Sequence, residues 1–131
     1  HHHSYYVIRN TDHLSGFTDH EVELIALVAR YHRRGEPSGK HPEFARLVDA
    51  DRARVRRLAA ILRVAIGLDR SHAATVAEVE VGGDGESIVL VLTPAAGADV
   101  AMERYAAGRS GLLAPVTGRQ GVVDLATAPL T

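Results

Sequence analysis

Apolar and polar positions alternate with two different periods along this chain, and the change of period divides it. From Thr18 to Arg34, TDHEVELIALVARYHRR, apolar residues recur at steps of three and four and predict one amphipathic helix. Val22, Ile25, Ala29 and His32 mark its stripe, and Leu24, Leu27, Val28 and Tyr31 widen it. Thr18 followed by Glu21 has the spacing of a capping box. Gly35 and then Pro37 supply the stop. A second helix is predicted from Asp51 to Leu68, with Asp49 or Asp51 as its cap and Val55, Leu58, Ala59, Leu62, Ala65 and Ile66 as its apolar face. Gly67 near its end weakens it by about 1 kcal/mol relative to Ala. Arg52, Arg54, Arg56 and Arg57 crowd its first exposed turns, where cations oppose the helix dipole.

After His72 the period becomes two. Ala77–Gly82 reads AEVEVG, with Val79 and Val81 on one face and Glu78 and Glu80 on the other. Gly83-Asp84-Gly85 is a turn, and Ser87–Thr93, SIVLVLT, pairs back to form a β-hairpin over 77–93. Val100–Leu113 reads as a third helix and Gly121–Leu125 as a third strand. Ser4–Arg9 is too short for periodicity to separate helix from strand. Asn10–Gly16 and Pro37–Pro42 read as loops, Phe44 and Leu47 as one helical turn, and the Ala-, Pro- and Thr-rich tail as frayed.

The 131 residues suit one compact domain with one sizeable core, expected to be mainly α (α+β). The helical part is expected at about 4–72, and the hairpin, helix and strand at about 77–125. There is no Cys, which excludes disulfides, thiolate zinc sites and a cysteine nucleophile. No apolar run has the length of a membrane span and no signal peptide is visible, so the expectation is a cytoplasmic chain without a membrane partner. The formal net charge of −1 is uneven: residues 1–70 carry +3 and residues 71–131 carry −4. The basic half suits an anionic partner, or else is a solvated helix face. His1-His2-His3 without a Met reads equally as the end of a tag or as native sequence, and in either case as the start of a piece of something longer.

No catalytic motif is complete. P-loop, H-E-x-x-H and G-x-S-x-G patterns are absent, and Gly82, Gly83 and Gly85 belong to the hairpin turn. Two imidazoles and a carboxylate can still converge on a cation: a histidine near position 3, His32 and Asp69. Such donors suit Zn, Mn, Fe or Mg. The plainer readings are a core histidine bonded to a carbonyl and a helix-end aspartate paired with Arg63 or Arg70. His13, His20, His41 and His72 fall in loops or on polar faces and receive no role.

Three blocks in order, HHHSYYVIRN, GFTDHEVELIALVARYHRRGEP and DRARVRRLAAILRVAIGLDRSH, resemble the C-terminal domain of the Ppx/GppA family of exopolyphosphatases and guanosine pentaphosphate phosphohydrolases. The resemblance runs from His1 to about Thr93, and more loosely to Asp124. It implies a parent enzyme that begins with two actin-like domains, which bind and hydrolyse a phosphoanhydride with Mg or Mn. It also implies an HD-like helical domain with a small β-hairpin or sheet packed at one end. His1 and His3 fall on the family's H-x-H-S, Arg30–Arg33 on its R-Y-H-R and Leu68–Ser71 on its L-D-R-S. On that match His3, His32 and Asp69 are the expected metal ligands, as a partial site, since the HD dipeptide is missing.

The reading that joins these observations is the C-terminal domain of an exopolyphosphatase-type hydrolase. It is expected to bind polyphosphate or guanosine pentaphosphate, to dimerise, and not to hold the main catalytic site. Arg30, His32, Arg33, Arg34, Arg63 and Arg70 are the expected anion contacts. Its partners are the N-terminal actin-like domains and a second copy, with no nucleic acid. The alternatives are an autonomous HD-type metal phosphohydrolase acting on nucleotides and a purely structural domain.

Overall fold

A computed structural model of the chain describes residues 2–31, 40–109 and 116–126. The element order is α1 (His2–Asn10), α2 (Asp19–Arg30), α3 (Pro42–Ala45), α4 (Asp49–Leu68), β1 (Val76–Gly83), β2 (Ser87–Pro94), α5 (Ala101–Gly108) and β3 (Gln120–Leu125). The class is mainly α with a small sheet, as the periodicity predicts. Contacts gather in two compact units, His1–Leu62 and Arg63–Thr131.

In the first unit the segment left open between helix and strand is helical, and α1 packs on α2. Tyr5, Leu24, Ala26, Leu27, Tyr31, Phe44, Leu47, Val55 and Ala59 form its core. The capping box is present at both bonds: the Glu21 amide donates to Thr18 Oγ1 at 3.1 Å, and the Thr18 amide donates to Glu21 Oε1 at 2.9 Å. This satisfies two backbone donors that the helix start would leave open. α2 stops at Arg30, short of the predicted Arg34. Tyr31 is its C-cap, and its amide closes on Val28 O as well as on Ala29 O. Residues 32–34 of the predicted helix lie outside the described residues.

The buried stripe of α4 differs from the predicted one. Val55, Ala59, Ala60 and Val64 are buried, whereas Leu58, Ile61 and Ile66 are exposed. The small alanines face the neighbours because close packing favours them there, and spacing alone does not rank one apolar stripe against the next. Neither aspartate caps α4 as predicted. Asp49 and Asp51 lie within its first turn and pair with Arg52 and Arg54, so local ion pairs offset the adverse placement of those arginines.

The second unit is built on β2. β1 pairs with it antiparallel and β3 pairs with it parallel, in the order β1-β2-β3. The hairpin forms as predicted. Its turn is held by Asp84, whose Oδ1 accepts from the amides of Glu86 and Ser87 at 2.8 and 2.9 Å. Gly83 has φ 124°, and a Cβ there would meet Ser87 O at 2.1 Å, so the position requires glycine. The third strand is found at Gln120–Leu125. The predicted third helix is shorter, Ala101–Gly108, and residues 110–115 lie outside the described ones.

Leu90 and Leu92 of β2 are buried, and Val64 of α4 and Ala107 of α5 join Leu90 in one cluster with Leu68, Ile88 and Val123 around it. The end of α4 and α5 meet backbone to backbone, because a Cβ at Gly67 would lie 2.7 Å from Ala107 N. Gly67→Ala is therefore expected to destabilise the chain by about 1–2 kcal/mol, the clash outweighing the gain in helix propensity. Gly108→Ala, with nothing within 4 Å of its added Cβ, should be neutral or stabilising. Denaturant melts of the two variants check the pair, and a Gly67→Ala chain as stable as wild type would contradict the close approach.

Candidate functional site

The sequence-predicted residues fall in two places, one in each unit. In the first unit α1 carries His3, which is exposed. α1 is braced on α2 by charge: Arg9 Nε lies 2.7 Å from Glu23 Oε2, and the Tyr5 hydroxyl donates to Glu23 Oε1 at 2.8 Å. Burial, and then the hydrogen bond with Glu23, pushes the Tyr5 phenol up to about 12. At the other end of α2, Arg30 is committed inward. Its guanidinium donates to Glu43 Oε2 at 3.1 Å and is 11% exposed, and it lies over the Tyr31 ring. Glu43 is held below the usual carboxylate range by backbone hydrogen bonding and by Arg30. His32, Arg33 and Arg34 lie outside the described residues.

In the second unit α4 runs into a turn, Asp69–His72, which joins it to β1. The Asp69 and Arg70 amides close on Ile66 O and Gly67 O, and the His72 amide on Asp69 O. His72 Nδ1 donates to Asp69 Oδ2 at 3.2 Å. His72 and Ala74 both have positive φ, 57° and 51°, a left-handed conformation that costs a residue with a Cβ about 1–2 kcal/mol. The turn is anchored from α5. The Ser71 hydroxyl makes a short hydrogen bond to Glu103 Oε1, and the Ser71 amide donates to the same oxygen at 3.3 Å. Glu103 is 1% exposed, and the Ser71 hydroxyl is the main cause that keeps its carboxyl below the ordinary range. Thr75 adds to that effect. Arg70 is exposed and makes no ion pair among the described residues.

The structure thus brings Asp69 and Arg70 together on one fixed turn, with Arg63 earlier on α4 in the same unit. Among the described residues no group of three or more His, Asp or Glu side chains is placed to hold a metal ion. His3 and Asp69 belong to different units, and His32 lies outside the described residues.

Three histidines given no role on sequence do have partners. His20 Nε2 donates to the buried Asp51 at 2.8 Å, His41 shares a 2.5 Å hydrogen bond with the Tyr31 hydroxyl, and His72 binds Asp69. The separation of 31 positions between His20 and Asp51, like the 32 between Ser71 and Glu103, leaves no local signal in a sequence.

Residues 1–96 match the model of the Ppx/GppA phosphatase family, domain III. The chain belongs to the Ppx/GppA family. A comparison with curated proteins returned no match. The domain III match takes in α1–α4 and the β1–β2 hairpin, and with them the Asp69–His72 turn. α5 and β3 follow it in sequence, yet they complete the unit that carries this turn. No described helix of this Ppx/GppA chain is long and apolar enough to cross a membrane.

The brace beneath His3 makes a pH prediction. The Tyr5 phenol titrates higher in the folded chain than its ordinary 10.0. Its contribution to stability is therefore complete below pH 10 and is lost as pH rises through about 12. Tyr5→Phe should remove the last step of the tyrosinate absorbance titration and cost about 1 kcal/mol near neutral pH. A titration unchanged by the substitution would show that the late step belongs elsewhere.

Proposed function

We propose that this chain is the anion-binding module of an exopolyphosphatase-type hydrolase, engaging polyphosphate or guanosine pentaphosphate through Arg70 and the neighbouring cations of the matched blocks. The single observation that supports this most is the Asp69–His72 turn. It presents a solvent-facing arginine, without an ion pair among the described residues, on a backbone fixed by a buried carboxylate. A guanidinium so placed can donate two parallel hydrogen bonds to a phosphate oxygen pair. Arg63, earlier on α4 in the same unit, is the further cation this reading assigns to the anion. Arg30 serves instead as a strut to Glu43.

Hydrolysis itself is assigned in this reading to the actin-like domains of a parent enzyme with Mg or Mn. There water attacks the terminal phosphorus and the remaining polyphosphate leaves, while cations offset the growing charge. The module's part is to hold the polyanion. Dimerisation through the module and a cytoplasmic location belong to the same reading.

Calorimetric titration of the chain with medium-length polyphosphate, at low and at physiological salt, tests it. Arg70→Glu should weaken binding about 10- to 100-fold, the range for losing a hydrogen-bonded charge contact and adding a repulsion, and should flatten the salt dependence. Arg119→Glu, an exposed charge change elsewhere in the same unit, should have little effect. Equal affinities for Arg70→Glu and wild type would refute the assignment.

A further inference from the structure

Glu103 lies on α5, beyond the segment that matches domain III, and it is the most deeply buried charged side chain in the chain's described part, at 1% exposed. A buried carboxylate is costly unless its oxygens are satisfied. Here Ser71 donates twice to the same oxygen, through its amide and its hydroxyl. No cation neutralises Glu103 among the described ion pairs. The adjacent Arg70 instead faces solvent.

That choice has a geometric effect. Two hydrogen bonds to one oxygen fix both the backbone and the side chain of Ser71, the residue between Arg70 and His72. The turn then runs through left-handed backbone at His72 and Ala74, which an unrestrained chain would abandon. The helix end before the turn is pinned to the same element, because Gly67 presses on the Ala107 backbone. α5 therefore holds the turn at two points, Gly67 below it and Ser71 within it.

We propose that Glu103 is a positioning residue: through Ser71 it sets the backbone that aims Arg70 at a phosphate oxygen of a linear polyphosphate, with the Asp69–His72 pair closing the other side of the turn. The inference rests on the functional reading above and extends it to a helix outside the family-matched segment. Glu103 itself does not touch the anion, since a carboxylate would repel it, and its burial behind Ser71 keeps that charge away.

Polyphosphate affinity and thermal stability of the full chain, measured side by side, decide this. Ser71→Ala, at an exposed position, and Glu103→Ala should each weaken binding about three- to tenfold. In the Arg70→Ala background the same changes should weaken it by less than about twofold, since contacts that act through one residue are not additive. Glu103→Gln, which keeps an acceptor oxygen for Ser71, should restore most of the affinity lost in Glu103→Ala. A purely structural role would lower stability in both backgrounds without that coupling. Folded Ser71→Ala that binds as wild type, while Arg70→Ala binds weakly, overturns the positioning role alone. A wild-type chain that binds no polyphosphate overturns the functional reading and this proposal with it.

Discussion

The second unit depends on one close approach, the contact between the backbone of α4 at Gly67 and that of α5 at Ala107. Leu90 and Leu92 lie on the central strand and must lose their contact with water, which removes about 1.5–3 kcal/mol of exposure cost for each. Only elements that come close to β2 can cover them. Val64 and Ala107 do so for Leu90, and they fit together because position 67 has no Cβ. The same glycine that weakens α4 as a helix thus permits the packing that the sheet requires. Arg104 completes the attachment, since its Nε donates to Val123 O at 2.8 Å and its outer nitrogen reaches Asp124. That bond occupies a carbonyl that an edge strand would otherwise leave open.

This arrangement explains why the unit does not end where the family match ends. A two-stranded hairpin is marginal in water and needs a third strand or a helix against it. β1 and β2 lie within residues 1–96, but the parallel partner β3 and the covering helix α5 come after. The buried Glu103 belongs to the same later segment and holds a turn of the earlier one. Matched and unmatched residues therefore fold as one structure in this unit, and the matched turn owes its shape to the unmatched helix.

How much of this the sequence announced depends on how local each cause is. The capping box at Thr18 and Glu21, the hairpin around Gly83 and Asp84, and the strand at Gln120–Leu125 were legible because neighbouring residues determine them. The buried stripe of α4 was not: alanines 59 and 60 face inward while Leu58 and Ile61 face out, and only the surroundings decide between adjacent stripes. The helical α1 was undecided because six residues hold fewer than two helical turns, too few for the period to show. The candidate turn was half legible. L-D-R-S marked Asp69 and Arg70, but nothing near residue 71 pointed to a carboxylate on another helix, nor to His72 as the partner of Asp69.

Charge shows the same limit from another side. The first half of the sequence carries an excess of cations, which suggests a broad anion-binding face. In the structure several of those cations are committed to acids or rings. Arg9 pairs with Glu23, Arg30 with Glu43, Arg52 with Asp49 and Arg54 with Asp51, while Arg56 lies over the Phe44 ring. The more exposed of these pairs add little stability, about 0–1 kcal/mol each, yet all of them remove cations from the pool that could meet a polyanion. A count of cations therefore overstates how many are free to meet a ligand. A binding surface is better sought where an arginine stays exposed and the backbone beneath it is immobilised, because little ordering then remains to oppose the contact. Among the described residues of the matched blocks, Arg70 meets both conditions, and it meets them because the carboxylate buried beside it is satisfied by Ser71 and leaves the guanidinium uncommitted.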